Sequence, residues 1–259
     1  MKALISIAEK KDVPQLKKLW KEAFGEDVSA EMFYDGIFSQ KASGRIKILV
    51  ERKKDIGIVS MLHYIPCCYE SNNRKYNGAY LYALATAQQY RGQKIMGALI
   101  QYAIDMAESM EMDFLYLIPA TDSLYEYYQR FGFCETVHAM CIPEISIDRV
   151  RKRQADLAGL WELIRKKWKD SNMTIFFEEE IHKYTLKELM TENDFAGYEL
   201  MMEEKTIGFL AGRKNDVLLY GTDMDSFMIH EDTRLKKNGS ILKLKDGIQI
   251  GLVSGWIPY

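Results

Sequence analysis

The chain is poor in the residues that build metal centres and disulfide frameworks. Among its 259 residues are four cysteines and four histidines. The histidines are scattered, without the spacing of a zinc-binding motif, and the cysteines fit neither a disulfide framework nor a CxxC metal site. The cysteines are Cys67, Cys68, Cys134 and Cys141. We therefore expect reduced thiols, no metal site and a cytoplasmic location.

Long apolar runs and an excess of one charge are lacking as well. No apolar run approaches the roughly 20 residues of a transmembrane helix, and the first residues, MKALISIAEKK, do not have the pattern of a signal peptide. Lys and Arg number 35 and Asp and Glu 37, for a formal net charge of -2. No overall field therefore attracts nucleic acid or an anionic membrane, and we expect neither partner. The length and the 47% hydrophobic content are those of a globular chain with one large or two smaller domains.

The first half of the sequence alternates between strand and helix patterns. Asp12 and Pro14 mark the start of the first helix and Gly25 marks its end. The run FLYLI has the continuous hydrophobicity of a strand covered on both faces, whereas ESNNRKYNG (70–78) predicts a polar loop. Strands are predicted at 4–7, 45–50, 58–65, 79–86, 114–118 and 133–142, and helices at 13–24, 95–110 and 123–131. The apolar face of the second helix is predicted to contain Ile95, Ala98, Leu99, Tyr102, Met106 and Met110.

The second half has a different pattern. Two helices are predicted at 149–169 and 175–192, and three antiparallel strands follow in YELMM (198–202), IGFLAG (207–212) and VLLYG (217–221). The stretch LKLKDGIQIGLV (242–253) predicts a β-hairpin that turns at its Asp-Gly pair. Together, the alternation in the first half and the meander in the second favour an α/β class with helices covering both faces of a sheet.

The segment between the predicted strand 79–86 and the next helix has the features of a phosphate site. Unpaired N–H groups at a helix N-terminus bind phosphate oxygens, a glycine lets the main chain approach an anion, and Arg91 adds a cation. The sequence RGQKIMG (91–97) supplies all three. It lacks the GxxxxGK[ST] pattern of a Walker A loop and the GxGxxG pattern of a dinucleotide fold. An ordinary surface turn is the remaining alternative.

Two stretches carry a family resemblance. ALATAQQYRGQKIMGALI (83–100), followed by LYEYYQRFGF (124–133), resembles the two central motifs of the GNAT acyl-CoA-dependent N-acetyltransferases in order, spacing and type of element. The resemblance covers roughly residues 1–142 and looks closest to the multidomain bacterial branch that includes the enhanced-intracellular-survival type enzymes. It implies an α/β fold (α+β mixed sheet). A GNAT acetyl-CoA-binding catalytic domain at 1–142 would be followed at 146–259 by a GNAT-like domain without its own cofactor loop.

The resemblance also implies which residues hold acetyl-CoA. The backbone of Leu84, Ala85 and Thr86 would pair with the pantetheine arm like an added strand. The side chain of Arg91 and six successive backbone amides would hold the pyrophosphate, and Ser123 would make a further contact. The six amides are those of Gly92, Gln93, Lys94, Ile95, Met96 and Gly97. Lys94 stands where the family favours glycine, and a left-handed backbone there would cost a lysine ~1 kcal/mol or more.

Tyr128 occupies the position of the motif's tyrosine, and the resemblance implies that it protonates the departing thiolate of CoA. Core packing is the alternative for this aromatic segment. No general base is visible near the motifs. In the multidomain branch the C-terminal carboxylate can serve, which here belongs to Tyr259, whereas Glu51, Asp113 and Glu126 are expected to be solvated surface acids.

The implied function is transfer of the acetyl group of acetyl-CoA to a primary amine of a small molecule or a peptide. Members of this branch often form oligomers, so the resemblance also implies a homo-oligomer. A non-catalytic acyl-CoA-binding or regulatory module is the alternative, favoured by Lys94 and by the missing base. A structural interaction protein that binds no CoA is a third interpretation.

Overall fold

The computed structural model describes most of the chain as two compact units. The described residues are 4–25, 34, 46–71, 74–141, 150–169, 174–177, 179–191, 194–213, 216–222, 234–245 and 252–253. The first unit comprises Met1–Cys68, Tyr76–Thr136 and Gly239–Gln249, and the second comprises Tyr69–Lys75, Val137–Asn238 and Ile250–Tyr259. The units interleave along the chain, and a domain boundary between 142 and 146 stays a prediction. Within the described ranges, no helix is long and apolar enough to cross a membrane.

Strands and helices are numbered here in chain order. The strands are β1 (Leu4–Ile7), β2 (Lys47–Lys53), β3 (Gly57–Ser71), β4 (Arg74–Thr86), β5 (Phe114–Leu117), β6 (Glu135–Cys141), β7 (Arg151–Gln154), β8 (Thr174–Phe177), β9 (Phe195–Met202), β10 (Lys205–Arg213), β11 (Asp216–Thr222), β12 (Arg234–Lys243) and β13 (Leu252–Val253). The helices are α1 (Val13–Phe24), α2 (Ile95–Ser109), α3 (Asp122–Gln129), α4 (Leu157–Lys169) and α5 (Glu179–Leu189). Short 3-10 turns occupy Lys10–Asp12 and Gln88–Tyr90.

The first unit is built on a mixed sheet whose strands run in the order β1-β2-β3-β4-β5-β12. β2 is antiparallel to β1 and β3, and β12 is antiparallel to β5, whereas β4 and β5 are parallel. α1 covers one face, where Leu16, Leu19 and Trp20 share a buried cluster with Ile48 and Met61. α2 and α3 contribute to the cluster on the other face. The predicted α/β class with a mixed sheet is confirmed.

α1 is anchored through a buried carboxylate. The helix follows Asp12, has Pro14 in its first turn and ends at Gly25, as predicted. The side chain of Asp12, expected to cap the helix, makes no capping hydrogen bond. Only 2% exposed, it accepts hydrogen bonds from Arg52 Nη1 at 3.2 Å and Nη2 at 2.7 Å. Burial alone raises the pKa of Asp12, but the hydrogen bonds from Arg52 and from the Glu9 N–H outweigh burial and hold the pKa below its usual value.

Burial follows the sequence pattern in β5 but less closely in α2. Every residue of β5 is buried, as its continuous apolar run predicts. On α2 the predicted apolar face included Tyr102 and Met110, which are 40% and 44% exposed. The helix is apolar around most of its circumference, so the spacing alone did not single out the buried side. The residues it buries are Ile95, Leu99, Ile100, Ala103, Ile104 and Ala107.

Strands occur at three places where the sequence predicted a loop or a helix. β3 and β4 extend into the polar stretch 70–78. β7 and β8 take the first residues of the helices predicted at 149–169 and 175–192, which shorten to α4 and α5. The side chains of β7 are all exposed, and its Arg153 forms an ion pair with Glu199 of the antiparallel β9. Pairing with a neighbouring strand outweighs the weak local preference of such polar segments.

The second unit contains the predicted meander. β9, β10 and β11 are successive antiparallel neighbours, and β7 extends their sheet in the order β11-β10-β9-β7. α4 and α5 pack with this sheet around a buried apolar cluster. Its buried members are Leu160, Trp161, Ile164, Leu186, Leu189, Phe195, Phe209 and Ala211.

The described residues of the hairpin predicted at 242–253 pair with other strands instead of with each other. β12 pairs with β5 in the first unit, with Ser240 opposite Leu117, and β13 pairs in parallel with β6. The Ser240 hydroxyl donates to the carbonyl of Phe133 at 2.8 Å, and Lys243 and Glu135 form an ion pair at 2.6 Å. These partners lie more than 100 residues away in the sequence, so a local turn signal could not indicate them. The Asp-Gly pair itself lies outside the described residues.

Candidate functional site

A bulge interrupts β4 at Tyr82–Ala83, three residues before its end. Ala83 has a φ of 48°, in the left-handed region that non-glycine residues rarely occupy. Tyr82 and Ala83 both pack on the α1 face, whereas Leu81 and Leu84 belong to the cluster on the opposite face. Because side chains of a regular strand alternate between faces, two successive residues on one face mark an inserted residue.

β4 and β5 part at this bulge. Their parallel pairing runs from Gly78 opposite Phe114 to Leu81 opposite Leu117. β5 ends there, while β4 continues to Thr86. The last residues of β4 therefore extend past the end of the neighbouring strand, where an extended ligand can add to the sheet edge.

Ser60 fixes the direction of the backbone carbonyl of Ala85. The Ser60 hydroxyl donates to the carbonyl of Ala85 at 2.9 Å and lies 2.8 Å from the hydroxyl of Thr86. The Ala87 N–H also donates to β3, at 2.9 Å. Since backbone groups alternate in direction along a strand, those of Leu84 and Thr86 point away from β3. Of the three residues predicted to pair with pantetheine, Leu84 and Thr86 thus face the open side, whereas the Ala85 carbonyl is engaged by β3.

The loop after β4 leads into α2 through two left-handed residues. Gly92 has a φ of 77°, and a Cβ added there would meet no atom within 4 Å. Lys94 has a φ of 60° and a ψ of 14°, so the strained backbone expected for a lysine at this position is present. The first hydrogen bond of α2 runs from the Ala98 N–H to the Lys94 carbonyl at 3.2 Å. The N–H groups of residues 95–97 thus precede the helical ladder and are directed toward the loop.

Two cations flank this loop. Arg91 donates through Nε to the carbonyl of Thr86 at 3.0 Å, which anchors the guanidinium beside the end of β4. Lys53 lies with Nζ 3.1 Å from the side-chain oxygen of Gln93 and 4.6 Å from the centre of the Tyr90 ring. Sequence reasoning missed Lys53, because it belongs to β2 and its position 40 residues before Gln93 carries no local signal.

Tyr128 of α3 is 7% exposed and belongs to the same buried cluster as Leu99 of α2 and Leu117 of β5. Its ring lies against those of Tyr127 and Phe133, with centroids 5.3 and 6.3 Å away. Burial, together with the neighbouring Tyr127, raises the pKa of Tyr128 to about 12. The hydroxyl therefore keeps its proton at physiological pH, as a general acid must.

One cluster joins the three parts of the predicted site. Leu84 from the end of β4, Met96 from the first turn of α2, and Leu124 and Tyr127 from α3 all pack against the buried residues around Tyr128. Phe131, which follows α3, approaches α2 so closely that a Cβ on Gly97 would lie 3.2 Å from its ring. Ser123 stands apart from this packing at the exposed start of α3, 3.0 Å from the hydroxyl of Thr121.

The expected carboxylates differ from one another in environment. Glu51, predicted to be solvated, is 7% exposed, and burial raises its pKa. Asp113 accepts a hydrogen bond from the Asn77 N–H at 2.7 Å and forms an ion pair with Lys245 at 2.9 Å. Glu126 is exposed as predicted. Tyr259 lies outside the described residues. In the described part of the chain, no group of three His, Cys, Asp or Glu side chains could hold a metal ion, and Cys67 and Cys134 are free thiols.

Comparison with known families decides the class of the protein. A family model described as an acetyltransferase (GNAT) domain matches residues 5–136, just over half of the 259 residues. The chain belongs to the GNAT acetyltransferase family. The match includes β4, the loop, α2, β5 and α3, so the resemblance of the two motifs is confirmed. No curated protein sequence matched the chain significantly.

Solved structures extend the likeness to this family over both units. A probable N-acyltransferase of Enterococcus faecalis V583 is 13% identical, with a TM-score of 0.71 over 93% of this chain and 72% of that one. A GCN5-related N-acetyltransferase of Anabaena variabilis is 15% identical, with a TM-score of 0.68 and the same coverage. Eis1 of Mycobacterium abscessus is 8% identical, with a TM-score of 0.65 over 93% of this chain and 73% of that one. At these identities the likeness is one of fold, and it confirms the resemblance to the enhanced-intracellular-survival type.

Proposed function

We propose that this protein is an N-acetyltransferase that transfers the acetyl group of acetyl-CoA to a primary amine. The observation that supports it most is the continuous arrangement of the β4 end, the left-handed loop and the start of α2. An extended ligand could add its amide groups beside Leu84 and Thr86 and end in phosphates at the loop. Acetyl-CoA has this order of groups along its length.

The chemistry of the loop fits a pyrophosphate. The N–H groups of Ile95, Met96 and Gly97 precede the first helical hydrogen bond and carry the partial positive charge of the helix end. Gly92 leaves open space in which an anion can approach the main chain. Arg91 would add a guanidinium whose position is fixed by its hydrogen bond to Thr86. Gln93 and Lys94 would complete the loop, with Ser123 as a more distant contact.

Bound acetyl-CoA would supply an activated acetyl thioester. The Leu84 N–H, directed away from β3, would donate to the oxygen that gains negative charge as the amine attacks the carbonyl carbon. The Tyr128 hydroxyl would give its proton to the sulfur as the carbon–sulfur bond breaks. The attacking nitrogen would lose its proton to water, which requires no dedicated base on the protein. We propose a small-molecule or peptide amine as acceptor and a cytoplasmic location.

The proposal is tested by measuring thiol release from acetyl-CoA in the presence of a panel of primary amines. The panel contains a polyamine, an aminoglycoside and a short peptide with a free N-terminus, each beside its N,N-dimethylated analogue as a matched control. We expect thiol release and a mass increase of one acetyl group with at least one primary amine and with none of the tertiary amines. Binding of acetyl-CoA without transfer to any of them would instead favour a non-catalytic acyl-CoA-binding module.

A further inference from the structure

His63 of β3 is a polar residue buried in an aromatic cluster. Its exposed fraction is 0%. The ring lies 5.8, 5.6 and 6.1 Å, centroid to centroid, from those of Trp20, Tyr34 and Tyr82. Its Nε2 lies 3.1 Å from the hydroxyl of Tyr34. Burying a polar ring without partners costs free energy, so its contacts indicate its role.

The register of the sheet brings His63 opposite the bulge of β4. β3 and β4 are joined by only residues 72–73 and are therefore antiparallel. The Ala87 N–H donates to the carbonyl of Val59. His63 lies four residues after Val59, and Ala83 lies four residues before Ala87. His63 and Ala83 are therefore opposite each other in the antiparallel pair. In a bulge, two successive residues oppose one residue of the partner strand, so Tyr82 and Ala83 both lie against His63.

The backbone of the bulge contributes to the electrostatic environment of His63. Burial lowers the pKa of His63 to about 4, and the nearby backbone of Tyr82 and Ala83 offsets part of that effect. The ring is therefore neutral at physiological pH. A bulge interrupts the regular ladder between strands, so its backbone groups require other partners. His63 is a polar side chain that lies beside them on the face opposite to α2, with its ring against that of Tyr82.

We propose that His63 is a positioning residue that holds the bulge of β4 and thereby directs Leu84 and Thr86 toward the acyl and pantetheine end of acetyl-CoA. The inference rests on the proposed function, because it assigns a role within the same site. The role of His63 makes a prediction that the proposed function does not. His63 should affect binding of the ligand end next to the bulge and should have no effect on binding of the nucleotide end at the loop.

Three variants separate hydrogen bonding from packing. His63→Leu keeps the volume but removes both ring nitrogens. His63→Asn and His63→Gln carry an amide near the positions of Nδ1 and Nε2, so one of them retains a polar contact to the bulge. Tyr34→Phe is the matched control, because it removes a hydrogen-bonding group from the same cluster without touching the bulge.

Each variant is titrated with two ligands and followed by hydrogen exchange. 3′-Phospho-ADP carries the nucleotide and pyrophosphate of CoA, whereas acetyl-CoA adds the pantetheine arm and the thioester. For His63→Leu we expect the affinity for acetyl-CoA to fall about tenfold or more, with the affinity for 3′-phospho-ADP unchanged. Amide exchange in residues 80–87 should become faster even without ligand. One of the two amide variants should restore both properties, and Tyr34→Phe should leave both as in the wild type.

The inference is overturned if His63→Leu binds acetyl-CoA as the wild type does, or if it loses affinity for both ligands equally. It is also overturned if neither amide variant restores the exchange protection, because the ring would then act only through packing. If the wild type binds neither ligand, the proposed function fails first. The exchange of residues 80–87 then still decides whether His63 holds the bulge.

Discussion

Tyr128 combines a buried ring with a proposed reactive hydroxyl. Packing against Phe133 and the α2 cluster fixes the ring, and the same burial raises the pKa of the hydroxyl to about 12. The two sequence-based interpretations, core packing and proton donation, are therefore compatible. A residue that packs tightly is also held at a constant position relative to the end of β4.

Replacing Tyr128 by phenylalanine should remove the proton donor and leave the packing intact. We expect the rate of thiol release to fall about 100-fold, within the usual range for a general acid, with the melting temperature nearly unchanged. In the wild type, titration of Tyr128 should not reduce the rate below pH ~11, since the acid form persists up to its raised pKa. Tyr102→Phe, at an exposed position on α2, is the control. A Tyr128→Phe enzyme with the wild-type rate would exclude this role.

Lys94 carries a backbone conformation that suits glycine. Its φ of 60° costs a lysine about 1–2 kcal/mol, so Lys94→Gly should stabilise the unliganded protein by about 0.5–1 kcal/mol once the added flexibility of the unfolded chain is subtracted. The control is Gln89→Gly, within the 3-10 turn Gln88–Tyr90, where we expect a loss of stability. Chemical denaturation measures both. A destabilised Lys94→Gly variant would show that the lysine side chain contributes more than the strain costs.

The sequence indicated single residues best where their proposed role depends on a local motif. Arg91, Gly92 and Tyr128 can be identified from the sequence because the loop and the Tyr-x-x-Phe-Gly-Phe segment are each continuous along the chain. Ser60 bonds to β4 and His63 packs against it from a neighbouring strand, about 20–25 residues away along the chain. A serine and a histidine inside a strand pattern carry no sign of the partner that the fold gives them.

Among the elements, α1 depends on one buried ion pair with β2. The Asp12 carboxylate is held by Arg52, whose Nε also lies 3.2 Å from the hydroxyl of Ser6 in β1. Arg52→Met should therefore destabilise the protein by about 3 kcal/mol, because it leaves a buried carboxylate without its counter-charge. Denaturation at pH 7 measures the loss, with Asp12→Asn,Arg52→Met as the matched control that removes the charge.

The dependence of this effect on pH has a definite sign. In the wild type the pKa of Asp12 is lowered by folding, so its contribution to stability is present above the unfolded pKa of about 4 and is lost as the pH falls below it. In Arg52→Met the Glu9 N–H and Lys11 are left to oppose burial, which is the largest influence on this group, so the pKa should rise above its unfolded value. The free energy of unfolding of the variant should then decrease as the pH rises from about 4 to 7. A parallel pH dependence in the two proteins would contradict the ion-pair account.

The type of each secondary-structure element was predicted better than its length or its buried face. β5 and α3 lie within a residue or two of the predicted ranges, since an uninterrupted apolar run and a glycine stop are strong local signals. β7 was missed because RKRQ has no apolar alternation and becomes a strand through its pairing with β9. The buried face of α2 was only partly indicated, since almost every side of that helix is apolar.

Across the whole molecule, the first unit is completed by residues from the far end of the chain. β12 pairs with β5, Ser240 bonds to the carbonyl of Phe133, and Lys245 bonds to the carbonyl of Glu111 at 2.7 Å. A fragment ending at residue 142 would lack this strand and expose an edge of the sheet. We expect such a fragment to unfold at a lower temperature or to aggregate.

A matched chain tests this expectation. Joining residues 234–249 to the 1–142 fragment through a flexible linker should restore cooperative unfolding, whereas the same linker with a scrambled 234–249 should not. Circular dichroism and thermal unfolding measure the outcome. A fragment 1–142 as stable as the full chain would mean that the boundary predicted at 142 marks an autonomous domain.

The central claim, that the loop between β4 and α2 binds acetyl-CoA, is tested most directly by thermal unfolding with and without this ligand. Gly92→Asp adds a negative charge at the loop. Gly25→Asp is its matched control, because Gly25 also has a positive φ and no atom within 4 Å of an added Cβ. Saturation at ~100 times the dissociation constant should stabilise the wild type and Gly25→Asp by about 2.7 kcal/mol, or roughly 5–10 °C, and should not stabilise Gly92→Asp. A wild type that acetyl-CoA does not stabilise, or a Gly92→Asp variant that it stabilises fully, would contradict the claim.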